Sequence, residues 1–266
     1  MCTGDDVELL RRSILPGVRW VQLGAAGIEM WLDAGLMQPN VVWTAAKGVY
    51  AQPIGEHILA LILAAARRLP ERARSRTWGT AGGRLLAGAT VGVVGAGGIG
   101  TQLIGMLAPL GLRTIALTRD GRDVPGADVS VGPEELQTLL ARSDYVVLTA
   151  ALTAETKRMM SAERLAFMRR DAWLVNVARG ELVDTIALVA ALRGGTIGGA
   201  ALDVTDPEPL PAGHPLWTLP NVLITPHVAS TWAMGSGFFA QRVEQNVRRF
   251  SLGQDMLGVV DQALGY

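Results

Sequence analysis

A doubly wound, parallel α/β architecture is what this 266-residue sequence predicts, and three features carry the prediction. Between residue 90 and about 225, short apolar runs alternate with helical patterns, the texture of a parallel sheet covered by helices. The runs fall at 90–94, 113–117, 145–149, 173–177, 199–202 and 222–225, and six strands complete a doubly wound nucleotide-binding sheet. The stretch "TVGVVGAGGIG" at 90–100 then runs a strand straight into glycines spaced G-x-G-x-x-G, the signature of a Rossmann phosphate turn.

The elements follow in order. "VRWVQLGAAGIEMW" and "NVVWTAAKGV" predict two strands with loops. "QPIGEHILALILAAARRLPERARSRTW" predicts one long helix beginning at Pro53, apolar on nearly every face until Arg67 and therefore covered all round, by another domain or by a second subunit. In "GPEELQTLLARSD", Pro133 suits a first helical position, and Glu134 and Glu135 complement the positive end of the helix dipole. "VDTIALVAALRGG" offers Asp184 as N-cap and Gly194 as stop, with Ile186, Val189, Ala190 and Arg193 at helical spacing. "GSGFFAQRVEQNVRRFSLGQ" predicts a last amphipathic helix with Phe239, Val243, Val247 and Phe250 on one side. No internal repeat or low-complexity tract interrupts this series.

Composition narrows the function. With 49% hydrophobic residues the chain can bury one large core or two small ones. One cysteine, Cys2, excludes an internal disulfide, leaves no thiol cluster for a metal, and fits a reducing compartment. Basic and acidic residues both number 24, so no net field draws the chain to nucleic acid or to a membrane surface. The longest apolar run, Ile58 to Ala66, falls far short of a bilayer span. The opening "MCTGDDVELLRR" is acidic where a signal peptide is basic, so a soluble, cytoplasmic protein is expected.

Gly95, Gly97 and Gly100 allow a tight turn, close approach to a pyrophosphate, and packing of helix on strand. Gly98, Ile99 and Gly100 open the following helix, whose unpaired N–H groups suit an anion. The next strand ends in "LTRDGRD". Thr118 and Arg119 stand where a carboxylate would meet the ribose 2′-hydroxyl of NAD, and a guanidinium there suits the 2′-phosphate of NADP. NADP is thus favoured over NAD; Asp120 on the ribose, with Arg119 solvated, is the alternative.

"VNVARGELVD", "ALDVTDPEPL" and "LITPHVAS" lie at the carboxyl ends of later strands, the edge where open α/β sheets bind ligands. They supply Arg179, Glu208 and His227. Singly, each has a bland explanation as helix cap, loop surface or structural histidine. Together, on one edge beside a nucleotide cradle, they suggest chemistry.

These stretches, with "WVQLGAAGIE", "GEHILALILAAARRL", "LTAETKRMM" and "ALDVTDPEPLPAGHPLW", make the sequence resemble the D-isomer-specific 2-hydroxyacid dehydrogenases. The resemblance implies that His227 is the general acid, Glu208 its partner, and Arg179 the binder of a 2-oxo acid's carboxylate. A carboxylate on the far nitrogen of an imidazole favours its charged form and fixes its orientation, which agrees. The resemblance also implies substrate-binding amides around Ala26, Gly27 and Ile28, Asp203 facing the nicotinamide carboxamide, and Ala150, Val177 and Ser230 along the cofactor groove. No metal is implied.

It further implies three segments: 1–80 as the first part of a substrate domain, 81–228 as the dinucleotide domain, and 229–266 as a helix returning to the substrate domain. Members of the family carry several dozen more residues before the stretch at Trp20, which only 19 residues precede here, so a shortened flavodoxin-like substrate domain is expected. An exposed strand edge and the apolar side of "VRWVQL" then predict a homodimer, and the resemblance implies that it forms through residues 50–80, with which the apolar Ile58 to Ala66 is consistent. Ala151 and Ala154 stand where the family commonly has prolines, which predicts a looser loop. The expected function is hydride transfer between NAD(P)H and C2 of a small acid of the glyoxylate or hydroxypyruvate class; the alternative is a non-enzymatic, dinucleotide-responsive binding module.

Overall fold

The computed structural model describes residues 7–79 and 81–265; Cys2 lies outside them. Two compact units are present, one made of Ala51–Ser230 and the other of the residues before and after it. The sequence reading ends its first segment at 80, whereas the units part after Tyr50. The reason is the long helix, whose Ile58, Leu61 and Ile62 share a core with Val91, Val93, Leu103 and Leu107.

In the larger unit the elements run α3 (Ala51–Ala66), α4 (Leu69–Arg74), β3 (Thr90–Val94), α5 (Gly98–Leu107), β4 (Arg113–Leu117), β5 (Val129–Val131), α6 (Leu136–Arg142) and β6 (Tyr145–Leu148). They continue with α7 (Ala162–Phe167), β7 (Trp173–Asn176), α8 (Thr185–Gly194), β8 (Gly199–Leu202) and β9 (Val222–Ile224). Seven parallel strands form one sheet in the order β5-β4-β3-β6-β7-β8-β9. The order reverses between β3 and β6, the switch point of a doubly wound sheet. Side-chain alternation feeds two cores: Val147 joins the α3 and α5 face, and its neighbours Val146 and Leu148 join the face of Leu139, Leu165 and Leu188.

The smaller unit holds α1 (Val7–Ser13), β1 (Trp20–Gln22), α2 (Glu29–Asp33), β2 (Val42–Thr44) and α9 (Trp232–Ser251). β1 and β2 pair in parallel as a two-stranded sheet, with Trp20 opposite Val42 and Gln22 opposite Thr44. Trp20 donates to the Thr44 hydroxyl at 2.8 Å and lies 5.5 Å from the Phe250 ring. Asn246, fully buried in α9, donates to Gln22 and to the Leu257 carbonyl and accepts from the Leu257 amide.

Several expectations need correction. The sheet has a seventh strand, β5, beyond the six expected; its two valines, alternating with Asp128 and Ser130, give little apolar signal. The long helix starts at Ala51, and it is two helices, because Arg68 takes a left-handed φ of 54° before Pro70. Within this chain Gln52, Glu56, Ala60 and Leu63 form an exposed stripe along α3. In α8 the buried residues are Leu188, Ala191 and Leu192, with Ile186 exposed, and the left-handed stop is Gly195 rather than Gly194. In α9 the buried side runs through Gly235 and Asn246, leaving Val247 exposed. Asp184 does cap α8, accepting from the Ala187 amide at 2.9 Å.

Candidate active site

The phosphate turn explains its glycines. Gly95 has φ of 92°, and a Cβ there would overlap the backbone of Ala150. A Cβ on Gly97 would meet nothing within 4 Å, so this face of the turn is open to a ligand, whereas Gly100 brings α5 close to Val93. Gly97 is the N-cap of α5 and no side chain caps it, which leaves first-turn N–H groups, at Gly98, Ile99 and Gly100, for an anion. The amides of Gly95 and Ala96 both donate to the Leu117 carbonyl at 2.9 Å, tying the turn to β4.

At the end of β4, Thr118 is buried and its amide donates to the Val131 carbonyl of β5, while Arg119 and Asp120 are exposed. The sequence reading missed Arg122, whose Nη2 donates to the Ala96 carbonyl at 3.3 Å and whose Nε lies 3.9 Å from Asp120. A second arginine in the same tight turn was the available signal.

The carboxyl edge of β7, β8 and β9 gathers the remaining residues. Asn176, buried at the end of β7, donates to the Arg179 carbonyl at 2.8 Å and accepts from the Ala178 amide. A Cβ on the next residue, Gly180, would overlap the Thr205 carbonyl, so the Arg179 loop lies directly against the loop that carries Glu208. Arg179 Nη1 donates to the Ala178 carbonyl at 2.7 Å. Glu208 accepts from the Thr205 amide at 3.2 Å through one oxygen, and its other oxygen stands 2.7 Å from His227 Nδ1. The pair is open, with side chains 41% and 54% exposed, and His227 has φ of 54°.

Asp203, beside them, is buried. Its carboxylate accepts from the Thr225 hydroxyl at 2.5 Å and from the amides of Val228 at 3.0 Å and Ala229 at 2.9 Å. His57 Nε2, from α3, lies 3.0 Å from Thr225 Oγ1 and 3.4 Å from Asp203 Oδ1. Burial pushes the Asp203 carboxyl up, but hydrogen bonds from His57, Thr225, Val228 and Ala229 outweigh it and hold the group at about 2. The sequence reading assigned Asp203 by resemblance and had no role for His57, which no local pattern ties to it.

Of the expected groove residues, Ala150 backs Gly95, Val177 is buried just after β7, and Ser230 has a buried hydroxyl with no hydrogen-bond partner among the described residues. An orphaned buried hydroxyl and an open glycine turn on one sheet edge fit a bound dinucleotide. In the loop with Ala151 and Ala154, Thr156 Oγ1 donates to the Ala151 carbonyl at 2.7 Å and accepts from the Thr153 amide at 2.8 Å. In the smaller unit, Ala26 and Gly27 are half-buried, and Ile28 is fully buried with its carbonyl starting α2. Among the described residues, no cluster of three His, Cys, Asp or Glu could hold a metal, and no helix is long and apolar enough to cross a membrane.

A glycine turn at the switch point of a parallel sheet, with an imidazole–carboxylate pair on the same edge, defines a dinucleotide-binding oxidoreductase. Residues 59–229 match the NAD binding domain of D-isomer specific 2-hydroxyacid dehydrogenases. Over 236 residues the chain is 39% identical to a glyoxylate reductase of Thermofilum pendens, covering 85% of this chain and 70% of that one. A D-isomer specific 2-hydroxyacid dehydrogenase from Xanthobacter autotrophicus Py2, solved with NADPH and MES, is 36% identical with a TM-score of 0.85, over 94% of this chain and 80% of that one. An NADPH-dependent glyoxylate/hydroxypyruvate reductase from Sinorhizobium meliloti, solved with NADP and sulfate, is 27% identical with a TM-score of 0.87, over 99% and 84%. The chain belongs to the D-isomer specific 2-hydroxyacid dehydrogenase family of NAD(P)-binding oxidoreductases.

Proposed function

We propose that the protein reduces a small 2-oxo acid of the glyoxylate or hydroxypyruvate class to its 2-hydroxy acid, with NADPH favoured over NADH. The observation that carries this is the 2.7 Å contact between Glu208 and His227 Nδ1. It occupies one ring nitrogen and leaves Nε2 to donate a proton. The reduced nicotinamide, when bound, supplies hydride to C2. As the carbonyl π bond breaks, its electrons pass to oxygen, and His227 Nε2 gives that oxygen the proton. Arg179, always charged and planar, binds the acid's carboxylate and polarises its ketone. Asp203 faces the carboxamide, and Ser230, Ala150 and Val177 line the cofactor groove. Amides around Ala26, Gly27 and Ile28 hold the substrate carboxylate; this assignment rests on the family resemblance.

The cofactor preference is supported by Arg119 and Arg122 in one turn after β4, the latter tied to the glycine loop. The relatives solved with NADPH and NADP point the same way. A homodimer through residues 50–80 is supported by exposed apolar side chains in and beside that stretch, Leu63, Leu69, Trp78 and Leu85, with Trp78 at 101% exposure.

A steady-state assay of both cofactors against glyoxylate and hydroxypyruvate tests the proposal. Turnover of either acid, fastest with NADPH, is expected. Tight cofactor binding without turnover of any 2-oxo acid would replace it with the binding-module reading.

A further inference from the structure

We propose that His57 is a positioning residue: acting through Thr225 and Asp203, it holds the left-handed turn that aims His227. The inference rests on the assignment of His227 as proton donor. No local motif points to it, because His57 stands 168 residues before Thr225, on a helix whose Ile58, Leu61 and Ile62 build a core.

The turn itself needs holding. A non-glycine residue at φ of 54° costs about 1 kcal/mol, and it persists only where surrounding bonds determine it. Here Asp203 supplies those bonds. Its main-chain carbonyl accepts from the His227 amide at 2.8 Å, and its carboxylate takes the next two amides, Val228 and Ala229. Those three consecutive N–H groups all end on one residue.

The carboxylate is in turn oriented from the other side. Ionised, Asp203 only accepts, so the single proton of the Thr225 hydroxyl goes to it across 2.5 Å. Thr225 Oγ1 must then accept from its other neighbour, which assigns the proton of His57 to Nε2. His57 therefore donates into the network and fixes the rotamer of Thr225 and, through it, of the carboxylate. Its Nε2 is spent there, which separates it from a group that would give a proton to substrate. A network of this kind is valuable when complete and costly when one donor is missing.

Three variants test the inference: His57→Ala, His57→Gln, whose Nε2 can replace the ring donor, and Thr225→Val, which keeps shape but removes the hydroxyl. Each is measured for kcat and KM with glyoxylate and NADPH, for melting temperature, and for amide exchange at Val228 and Ala229. In His57→Ala and Thr225→Val, kcat should fall about tenfold with KM values held within about twofold, because the donor is misaimed rather than removed. Exchange at Val228 and Ala229 should quicken in both, and His57→Gln should recover kcat to within about threefold of wild type. If instead His57→Ala merely melts earlier, with kcat and the exchange of those two amides unchanged, the proposal is overturned. A wild-type protein that turns over no 2-oxo acid would defeat the function proposed above, and the exchange measurement would still decide this one.

Discussion

Two imidazole–carboxylate pairs stand on one sheet edge, and they differ in nearly every physical respect. Glu208 and His227 meet directly at 2.7 Å with both side chains about half exposed. Asp203 and His57 are 3.4 Å apart, 1% and 19% exposed, with a threonine hydroxyl bonded to both. An open, direct pair can trade protons with a substrate and with water. In the closed pair the threonine and imidazole protons are already committed, so its imidazole holds geometry rather than giving a proton to substrate. The same two chemical groups thus do different work according to burial and to how many donors converge on the carboxylate.

The strongest way to break this comparison is His227→Asn, which suits a left-handed backbone and removes the acid. Turnover should fall by about 10³, while cofactor affinity measured by fluorescence titration stays within about twofold. An active His227→Asn enzyme would move the chemistry elsewhere. Glu208→Gln keeps the shape and removes the charge, so kcat should fall by about tenfold to a hundredfold with thermal stability nearly intact, since open ion pairs stabilise little.

Asp203→Asn should reverse that pattern and act on stability. The folded carboxyl sits at about 2, below its usual 3.8, so its stabilisation is fully present above pH 4 and is lost as pH falls toward 2. Urea unfolding should find Asp203→Asn about 2 kcal/mol less stable than wild type at pH 7, with the gap shrinking at pH 3. A gap that widened in acid would contradict the assigned ionisation. The smallest effect is expected from salt. Raising ionic strength to about 1 M should weaken the open Glu208–His227 pair by about 0.5 kcal/mol or less and leave the stabilisation by Asp203 nearly unchanged, which a double-mutant cycle can read.

What the sequence made legible follows the same division. His227 and Glu208 could be found because each sits within a few residues of a strand end, where local pattern and edge chemistry coincide. All six expected strands begin where the apolar runs begin, because buried parallel strands read as continuous apolar runs. His57 could not be found, because its partners come from the far end of the unit and its own neighbours spell an apolar helix. β5 escaped because an edge strand of three residues buries too little to leave a pattern. Helical spacing gave a stripe through Ile186 and another through Val247 but not the direction either faces; both side chains are exposed, because packing against the sheet, or around Asn246, chose the buried side. The break at Arg68 hides because arginine is an ordinary helix former that rarely takes a left-handed φ.

That break has a further use. By turning the chain after α3, it lets α4 end with Arg74, whose guanidinium donates to the carbonyls of Leu219 at 3.0 Å and Val222 at 3.1 Å. Val222 belongs to β9, the last strand on that side of the sheet, and the unpaired backbone groups of an edge strand are a template for a stray chain. One arginine thereby blunts the rim, so its loss would surface first as clumping of concentrated protein, well before any change in the rate of reaction.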